Sequence, residues 1–311
     1  MHYLIRTEKY KSGMRTADSA LRFIGALFAC LGLFCGCSQK NADLAADGIK
    51  LPLAESMVRD ISLNSRHTGK TMRCKVYLPS GYGGGEDYPV WYGLNGYGSN
   101  ENMWIQAGLT KSADELIAQG EIPPLILVFP YTQNTTMKEL SEDMRDDGKL
   151  GERNMDRFIC EELIPFVDTR FDTRRSKGSR YIGGFSMGGM IALRIAFHHT
   201  DMFGKVSGFS PAVAYSDFSG LQLETWLYPN DDANGIADVY AYDKKKGLSG
   251  VRVYLDAGNS NDPFFEAVGS LYEALVKRGI AAEYHPYDGG HSLDHNRGDF
   301  GDYLRFITSS E

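Results

Sequence analysis

A serine framed by glycines, within residues 183–189, limits what this chain can fold into more than any other stretch. Residues 180–182 before it predict the end of a short buried strand, and residues 190–198 after it predict an amphipathic helix. A turn that joins a strand directly to a helix leaves no room for side chains two positions from its apex, so glycine is needed there. We therefore predict that Ser186 lies exposed at the tip of a strained turn.

Apolar runs alternate with helical patterns along the rest of the chain. This alternation predicts an α/β fold with a mostly parallel central sheet and helices on both faces. A glycine-framed serine between a strand and a helix is the nucleophile elbow of the α/β-hydrolase fold, so we predict that fold. Residues 58–63 and 72–78 predict an antiparallel hairpin at one edge of the sheet. The other strands are predicted at residues 88–94, 125–129, 180–182, 205–209, 251–255 and 282–286. Helices are predicted at residues 111–119, 152–168, 190–198, 264–278 and 300–307.

Two long segments do not follow the alternation. Residues 213–250 contain several aromatic and charged residues with little periodicity, and they predict an inserted cap rather than a second domain, because the strand pattern resumes afterwards. Residues 131–151 predict a polar surface loop beside the site. We therefore expect residues 55–311 to form one domain.

The first part of the chain predicts export. Basic residues precede an apolar run at residues 23–34 that is too short to span a bilayer, which is typical of a signal peptide over residues 1–36. The pair Gly36-Cys37 resembles the lipobox of bacterial lipoproteins, so Cys37 is predicted to become the lipidated first residue of a protein anchored to the cell envelope. Residues 37–54 then form a tether. Simple secretion and an uncleaved anchor remain alternatives.

Charge and cysteine content exclude several function classes. Removal of residues 1–36 takes away five basic and two acidic residues, so the net charge changes from −7 to −10. This charge disfavours nucleic acid and any electrostatic attraction to anionic lipid, which leaves the lipid anchor as the membrane link. Cys74 and Cys160 are predicted to be buried thiols, with a disulfide between them as the alternative. The cysteine and histidine spacing predicts no metal site, and no cofactor is expected.

A serine hydroxyl becomes a nucleophile only with a neutral imidazole in hydrogen-bond reach and an acid to orient that imidazole. In this fold the three residues follow one another along the chain as serine, acid and histidine. His285 falls inside the last predicted strand, whereas His291 lies in the Gly-rich loop just after it, and His295 follows. We predict that His291 is the base.

The acid is expected after the preceding strand. Asp262 lies in the loop there, 29 positions before His291, and is the preferred candidate. Asp256, at the tip of the strand, and Asp288, close to the histidine in sequence, remain alternatives. The aspartate that does not pair with the histidine is expected to hold the loop through backbone hydrogen bonds.

Over residues 55–307 the chain resembles the esterase D or feruloyl-esterase family of α/β-hydrolases. The matching stretches are residues 76–79, 96–98, 162–166, 184–189, 203–204, 261–262 and 290–291. The resemblance implies a triad of Ser186, Asp262 and His291 and an oxyanion hole from the backbone of Met187 and Tyr97. It also implies chemistry on carboxylic esters, including feruloyl and acetyl groups on plant polysaccharides, siderophore esters, formylglutathione and mycolyl transfer. Asn95 departs from the histidine common in that family's oxyanion loop, which leaves the side-chain hydrogen bonding of the loop open.

These observations predict an exported serine esterase that removes acyl groups from a small-molecule or polysaccharide ester. An acyltransferase or siderophore esterase with the same triad, and a non-catalytic carbohydrate-binding protein on the same fold, are the alternatives. Trp104, Trp226 and Phe264 are candidates to flank an aryl acyl group, although aromatic residues more often pack in the core.

Overall fold

The computed structural model describes residues 48–133, 136–138, 153–213, 250–293 and 300–309. Within these residues eight strands form one sheet in the order β1-β2-β4-β3-β5-β6-β7-β8. Antiparallel pairing joins β1 to β2 and β2 to β4, and every other pair is parallel. The strands are β1 (Met57–Asn64), β2 (Thr71–Leu78), β3 (Val90–Leu94), β4 (Ile126–Pro130), β5 (Arg180–Phe185), β6 (Lys205–Phe209), β7 (Arg252–Gly258) and β8 (Ala281–Tyr287). This is the predicted α/β-hydrolase architecture, with the predicted hairpin at the β1 edge.

The helices are α1 (Met103–Ala107), α2 (Leu109–Ala118), α3 (Arg153–Arg157), α4 (Ile164–Arg170), α5 (Met187–His198), α6 (Phe265–Lys277) and α7 (Phe300–Thr308). A π-helix, Phe158–Leu163, joins α3 to α4 within the segment that the sequence predicted as one helix. Pro165 lies in the first turn of α4 and has no N–H to bond to the carbonyl of Glu161, so the wider turn accommodates it. The sequence pattern did not predict the short helix α1.

Two hydrophobic clusters lie on opposite faces of the sheet. Successive residues of β3 belong to different clusters, Trp91 to one and Tyr92 to the other, because side chains alternate along a strand. The Tyr92 cluster contains apolar residues from the α3-to-α4 segment, α5 and α6, whereas the Trp91 cluster contains residues from α1, α2 and α7. Helices therefore cover both faces, as predicted.

The prediction that the helix after Ser186 is amphipathic was wrong. All twelve residues of α5 are buried, from Met187 to His198. The helix packs on β3, β5 and β6, and its other sides lie in the same cluster as the α3-to-α4 segment and α6. A helix in the middle of a layer has no solvent face, which accounts for its nearly continuous apolar sequence.

Smaller differences have local causes. The strand predicted from Tyr88 begins at Val90, because Pro89 cannot donate to a ladder and Tyr88 makes only an isolated bridge to Thr173. Cys74 and Cys160 are buried free thiols, as predicted.

Several predictions fall outside the described residues: the signal peptide, Cys37 and the first part of the tether, Trp226, and nearly all of the 131–151 loop and the 213–250 insertion. Among the helices that the structure describes, none has the length and apolar character needed to cross a bilayer.

Candidate active site

Ser186 occupies the turn between β5 and α5 in a conformation that L-residues rarely adopt. Its φ is +54° and its ψ is −118°. The backbone is held on both sides: the Ser186 N–H donates to the carbonyl of Phe209 at 2.9 Å, and its carbonyl accepts from Ala212 at 2.9 Å. Strain of this kind persists only where the surroundings overdetermine it, and it is concentrated at functional sites.

The glycines around Ser186 are required by close backbone approach. A Cβ on Gly188 would lie 2.6 Å from the carbonyl oxygen of Leu94, and a Cβ on Gly184 would meet the backbone of Gly188. The turn therefore packs directly against the end of β3, where the loop at residues 95–98 begins.

Three predicted side chains meet at the carboxyl edge of the sheet. The Oγ of Ser186 lies 2.9 Å from Nε2 of His291, and Nδ1 of His291 lies 3.3 Å from Oδ1 of Asp262. His291 follows β8 and Asp262 follows β7, so parallel strands bring residues distant in sequence to one edge.

The carboxylate of Asp262 is buried and well supplied with donors. Its side chain is 0% exposed, and it accepts from the N–H groups of Phe264 at 3.0 Å and Gly258 at 3.2 Å. Burial favours the neutral acid, but hydrogen bonds from His291, Ser210 and these amides outweigh it and hold the pKa of Asp262 below its usual value. Asp262 therefore stays ionised beside the imidazole.

The alternative acids have other partners. Asp256 is buried at the end of β7, and its Oδ1 accepts from the N–H of Ser210 at 2.8 Å. Asp288 accepts from the side-chain amide of Asn259 at 2.6 Å. The aspartate that pairs with His291 is thus Asp262, while Asp256 holds a neighbouring backbone segment.

Two aromatic rings and the loop backbone hold the imidazole. Phe185 stacks on the ring of His291 at 4.8 Å between centroids and 28° between planes, and Phe264 contacts it edge-on at 5.1 Å. The hydroxyl of Tyr287 donates to the carbonyl of Gly290 at 3.0 Å. The predicted aryl-binding residue Phe264 thus lies beside the imidazole.

The loop after β3 lies against the serine turn. Gly96 lies against Phe185, the residue before Ser186, since a Cβ on Gly96 would be 2.9 Å from the ring of Phe185. The next residue, the half-buried Tyr97, is therefore close to the serine turn. Both polar atoms of the Asn95 side chain are hydrogen-bonded. Its amide nitrogen donates to the carbonyl of Gly96 at 3.0 Å, and its oxygen accepts from the N–H and the hydroxyl of Thr132, each at 2.9 Å. Asn95 therefore fastens this loop to the end of β4.

Met187 directly follows Ser186 and begins α5. The first hydrogen bond within α5 runs from Met190 to the carbonyl of Ser186 at 3.1 Å, so the Met187 N–H has no acceptor within its own helix. A helix N-terminus of this kind favours negative charge. In the loop at residues 95–98, the Gly98 N–H donates to Oε1 of Gln133 at 2.7 Å.

Sequence reasoning missed Ser210. This residue follows β6 directly, has φ of +43° and is fully buried. Its Oγ lies 2.8 Å from Nδ1 of His291 and donates a hydrogen bond to Oδ2 of Asp262. The available signal was its position immediately after a parallel strand, at the edge where Ser186 and Asp262 were already expected.

Trp104 does not belong to the site, which corrects its prediction as a substrate-binding residue. It is 1% exposed, its Nε1 donates to the carbonyl of Leu94 at 3.2 Å, and its ring contacts Trp91 and Phe209, each at 5.1 Å. The side chain fills the core beneath the loop, because α1 presents it inward. Trp226 lies outside the described residues.

One group in the described part of the chain has donor atoms close enough to hold a cation. Asp156, Cys160 and His199 offer ligand atoms within 4.8 Å of one another, although the sequence spacing predicted no such cluster. The Oδ1 of Asp156 is hydrogen-bonded to Nε2 of His199 at 2.8 Å, so an ion pair accounts for these two residues. The group lies at the C-terminal end of α5, about 18 Å along the helix from the serine turn.

This arrangement can transfer a proton from the hydroxyl of Ser186 to the imidazole of His291. The family model Esterase, described as "Putative esterase", matches residues 65–307. A protein of Xylanibacter ruminicola named endo-1,4-beta-xylanase/feruloyl esterase is 35% identical over 236 residues, which cover 73% of this chain. The chain spans 29% of the length of that relative.

Two solved structures share the fold. A CE1 ferulic acid esterase from Anaeromyces mucronatus, determined with ferulic acid, superposes with a TM-score of 0.62 at 18% identity and covers 83% of this chain and 92% of its own. An S-formylglutathione hydrolase from Staphylococcus aureus has a TM-score of 0.60 at 12% identity and covers 84% of this chain and 100% of its own.

Proposed function

Because this chain belongs to the Esterase family, we propose that it hydrolyses carboxylic esters through a covalent intermediate on Ser186. The single observation that carries this proposal is the 2.9 Å contact between Oγ of Ser186 and Nε2 of His291, at a strained turn. A hydroxyl in that contact can lose its proton as it attacks a carbonyl carbon.

In the proposed reaction His291 accepts the proton from Ser186 as Oγ bonds to the acyl carbon. The imidazolium then gives the proton to the departing alcohol, and the C–O bond to that alcohol breaks. Water repeats the sequence on the acyl-enzyme, which releases the acid and restores Ser186. The ionised Asp262 stabilises the imidazolium formed in each half.

Backbone N–H groups of Met187 and Tyr97 are proposed to bind the oxyanion of the tetrahedral intermediate. The Met187 N–H has no acceptor within its own helix, and the loop that carries Tyr97 is fastened by Asn95 and packs on Phe185. Donors fixed before the reaction cost no reorganisation when the charge develops.

For the substrate, we propose acyl groups, feruloyl or acetyl, carried on carbohydrate. The name of the Xylanibacter ruminicola relative pairs a xylanase with a feruloyl esterase, which supports this class. Phe264, half-buried and edge-on to His291, is positioned to contact an aryl acyl group.

The test is hydrolysis of 4-nitrophenyl acetate and methyl ferulate by the purified protein. Ser186→Ala is expected to abolish turnover of both esters and labelling by a fluorophosphonate, whereas Ser80→Ala, which changes an exposed serine, should preserve both. Full activity in Ser186→Ala would overturn the nucleophile, and failure of the wild-type protein to react with the fluorophosphonate would support a non-catalytic binding protein. Acyl transfer to an added sugar in preference to water would identify an acyltransferase, and selective cleavage of a siderophore ester would replace the carbohydrate substrate.

We also propose that the protein is exported and lipid-anchored through Cys37. In a bacterium with a lipoprotein pathway, metabolic labelling with an alkyne fatty acid should mark the wild-type protein and Cys30→Ser but not Cys37→Ser. Label retained on Cys37→Ser would overturn the assignment. An unlabelled wild-type protein in the medium would indicate simple secretion.

A further inference from the structure

Ser210 contacts two residues of the proposed triad, Asp262 and His291, but the triad itself gives it no role. Its Oγ lies 2.8 Å from Nδ1 of His291 and bonds to Oδ2 of Asp262, while the direct distance from Nδ1 to Oδ1 of Asp262 is 3.3 Å. The shorter path from the carboxylate to the imidazole therefore passes through a hydroxyl.

The donors and acceptors around the Ser210 hydroxyl allow one direction for each of its hydrogen bonds. An ionised carboxylate can only accept, so the O–H of Ser210 donates to Asp262. The lone pairs of Oγ then face His291, and Nδ1 must carry the proton that it donates to them. This leaves Nε2 unprotonated and able to accept the proton of Ser186 at 2.9 Å.

The backbone holds this hydroxyl in place at the cost of an unfavourable conformation. Ser210 has φ of +43°, and its N–H lies within hydrogen-bond distance of both the carbonyl oxygen and Oδ1 of Asp256, at 3.0 and 2.8 Å. Two residues later, the N–H of Ala212 donates to the carbonyl of Ser186. The same short segment thus ties the serine turn to the hydroxyl between Asp262 and His291.

We propose that Ser210 is a positioning residue for the ester hydrolysis proposed above, joining Asp262 to His291 and holding the imidazole in the tautomer that accepts the proton of Ser186. The proposal rests on that function and adds a fourth side chain to it. The proposal also explains why position 210 is a serine, although glycine would adopt its positive φ without strain.

Removal of the hydroxyl tests the proposal. Ser210→Gly relieves the backbone strain and Ser210→Ala keeps it, yet both should lower kcat for 4-nitrophenyl acetate by about 10- to 100-fold with little change in KM, because only orientation and proton transfer are lost. Both variants should also alter the acidic limb of the profile of kcat/KM against pH. Ser207→Ala is the matched control: it removes a buried hydroxyl of β6 that bonds to Tyr303 at 2.8 Å, so it should keep kcat and the pH profile.

Proton NMR of the wild-type protein gives a readout that does not depend on turnover or on the folding of a variant. The Nδ1 proton of His291 should appear as a downfield resonance protected from exchange, and it should move or broaden in Ser210→Gly. Absence of that resonance from the wild type, or wild-type kcat and pH profile in Ser210→Gly, would overturn the role of Ser210. A loss of kcat that is fully accounted for by unfolded protein in the Ser210 variants, as shown by their melting temperatures, would also overturn it. The proposed function fails separately, through activity in Ser186→Ala.

Discussion

Two buried aspartates at the same edge of the sheet differ in what they bind. Asp262 bonds to His291 and Ser210, whereas Asp256 accepts from the backbone of Ser210. Asp256 lies near the end of β7 and Asp262 in the loop just after it, so position along the chain alone does not separate an acid that faces the imidazole from one that supports a backbone segment.

This difference predicts that replacing each aspartate by asparagine has a different effect on kcat. Asp262→Asn removes the negative charge that favours the imidazolium and should lower kcat by about 10⁴-fold. Asp256→Asn keeps a side-chain oxygen for the N–H of Ser210, so its loss of kcat should stay within about tenfold. Steady-state kinetics on both variants measure this, with circular dichroism as the folding control. A larger loss in Asp256→Asn would reverse the assignment of the acid.

At the scale of elements, the serine turn depends on backbone packing between β5, α5 and the end of β3. Gly188 is the point of closest approach, since a Cβ there would lie 2.6 Å from the carbonyl oxygen of Leu94. That contact also sets the distance between the N-terminus of α5 and the loop that carries Tyr97.

Gly188→Ala is expected to force these elements apart. We predict a loss in the free energy of unfolding of about 1–3 kcal/mol, together with a lower kcat, because the Met187 N–H moves with the helix. Gly178→Ala is the control, since a Cβ there has nothing within 4 Å. Urea titration and kinetics measure both effects. Unchanged kcat in a folded Gly188→Ala variant would contradict the coupling of this contact to the oxyanion hole.

The α3 segment is tied to the end of α5 by Asp156 and His199. Burial alone would raise the pKa of Asp156 and lower that of His199, but their hydrogen bond outweighs burial in both: the pKa of Asp156 is lowered from 3.8 and that of His199 is raised from 6.5. Each residue therefore favours the charged form of the other in the folded state.

The sign of these shifts predicts how stability depends on pH. The contribution of His199 is complete below pH 6.5 and is lost as the pH rises through its raised folded pKa, while that of Asp156 is complete above pH 3.8 and is lost below it. The destabilisation by His199→Gln should therefore be greatest between these values and smaller at higher pH. His285→Gln, which breaks an exposed pair with Glu283, should have a small effect throughout. A penalty that increases above neutral pH would contradict the ion pair.

At the scale of the whole molecule, the sheet separates two hydrophobic clusters, one of which lies beside the candidate active site. The Tyr92 cluster lies under α5 and α6, beside the elements that carry Ser186 and Asp262. Aromatic residues make up about half of the Trp91 cluster, which lies under α1, α2 and α7. Trp104 belongs to the Trp91 cluster and packs beneath the loop at residues 95–98, where its Nε1 donates to the carbonyl of Leu94.

Substitution of Trp104 should therefore change stability rather than substrate preference. Trp104→Ala is expected to cost about 3–5 kcal/mol of unfolding free energy through lost burial and a cavity, with KM for methyl ferulate unchanged in the folded protein. Phe264→Ala, beside His291, is the contrast, since it should change kinetics with a smaller loss of stability. A KM that rose selectively for the aryl ester in Trp104→Ala would return Trp104 to the site.

Several features of the site could be read from the amino-acid sequence. These are a strained serine turn, followed along the chain by an acid and a histidine that each come after a strand. The structure brings these residues close together, because a tight turn requires glycine and parallel strands present their carboxyl ends at one edge. The nearly continuous apolar strands likewise predicted a sheet covered on both faces.

The contacts between side chains at that edge could not be read from the sequence. Whether Asp262 or Asp256 reaches His291, whether Trp104 points to the site or to the core, and where the hydroxyl of Ser210 lies depend on side-chain directions set by packing between distant segments. The same holds for α5, whose burial on every side reflects its place in the middle of a layer. Local sequence specifies the elements, and their mutual packing specifies the distances of a few ångströms on which proton transfer depends.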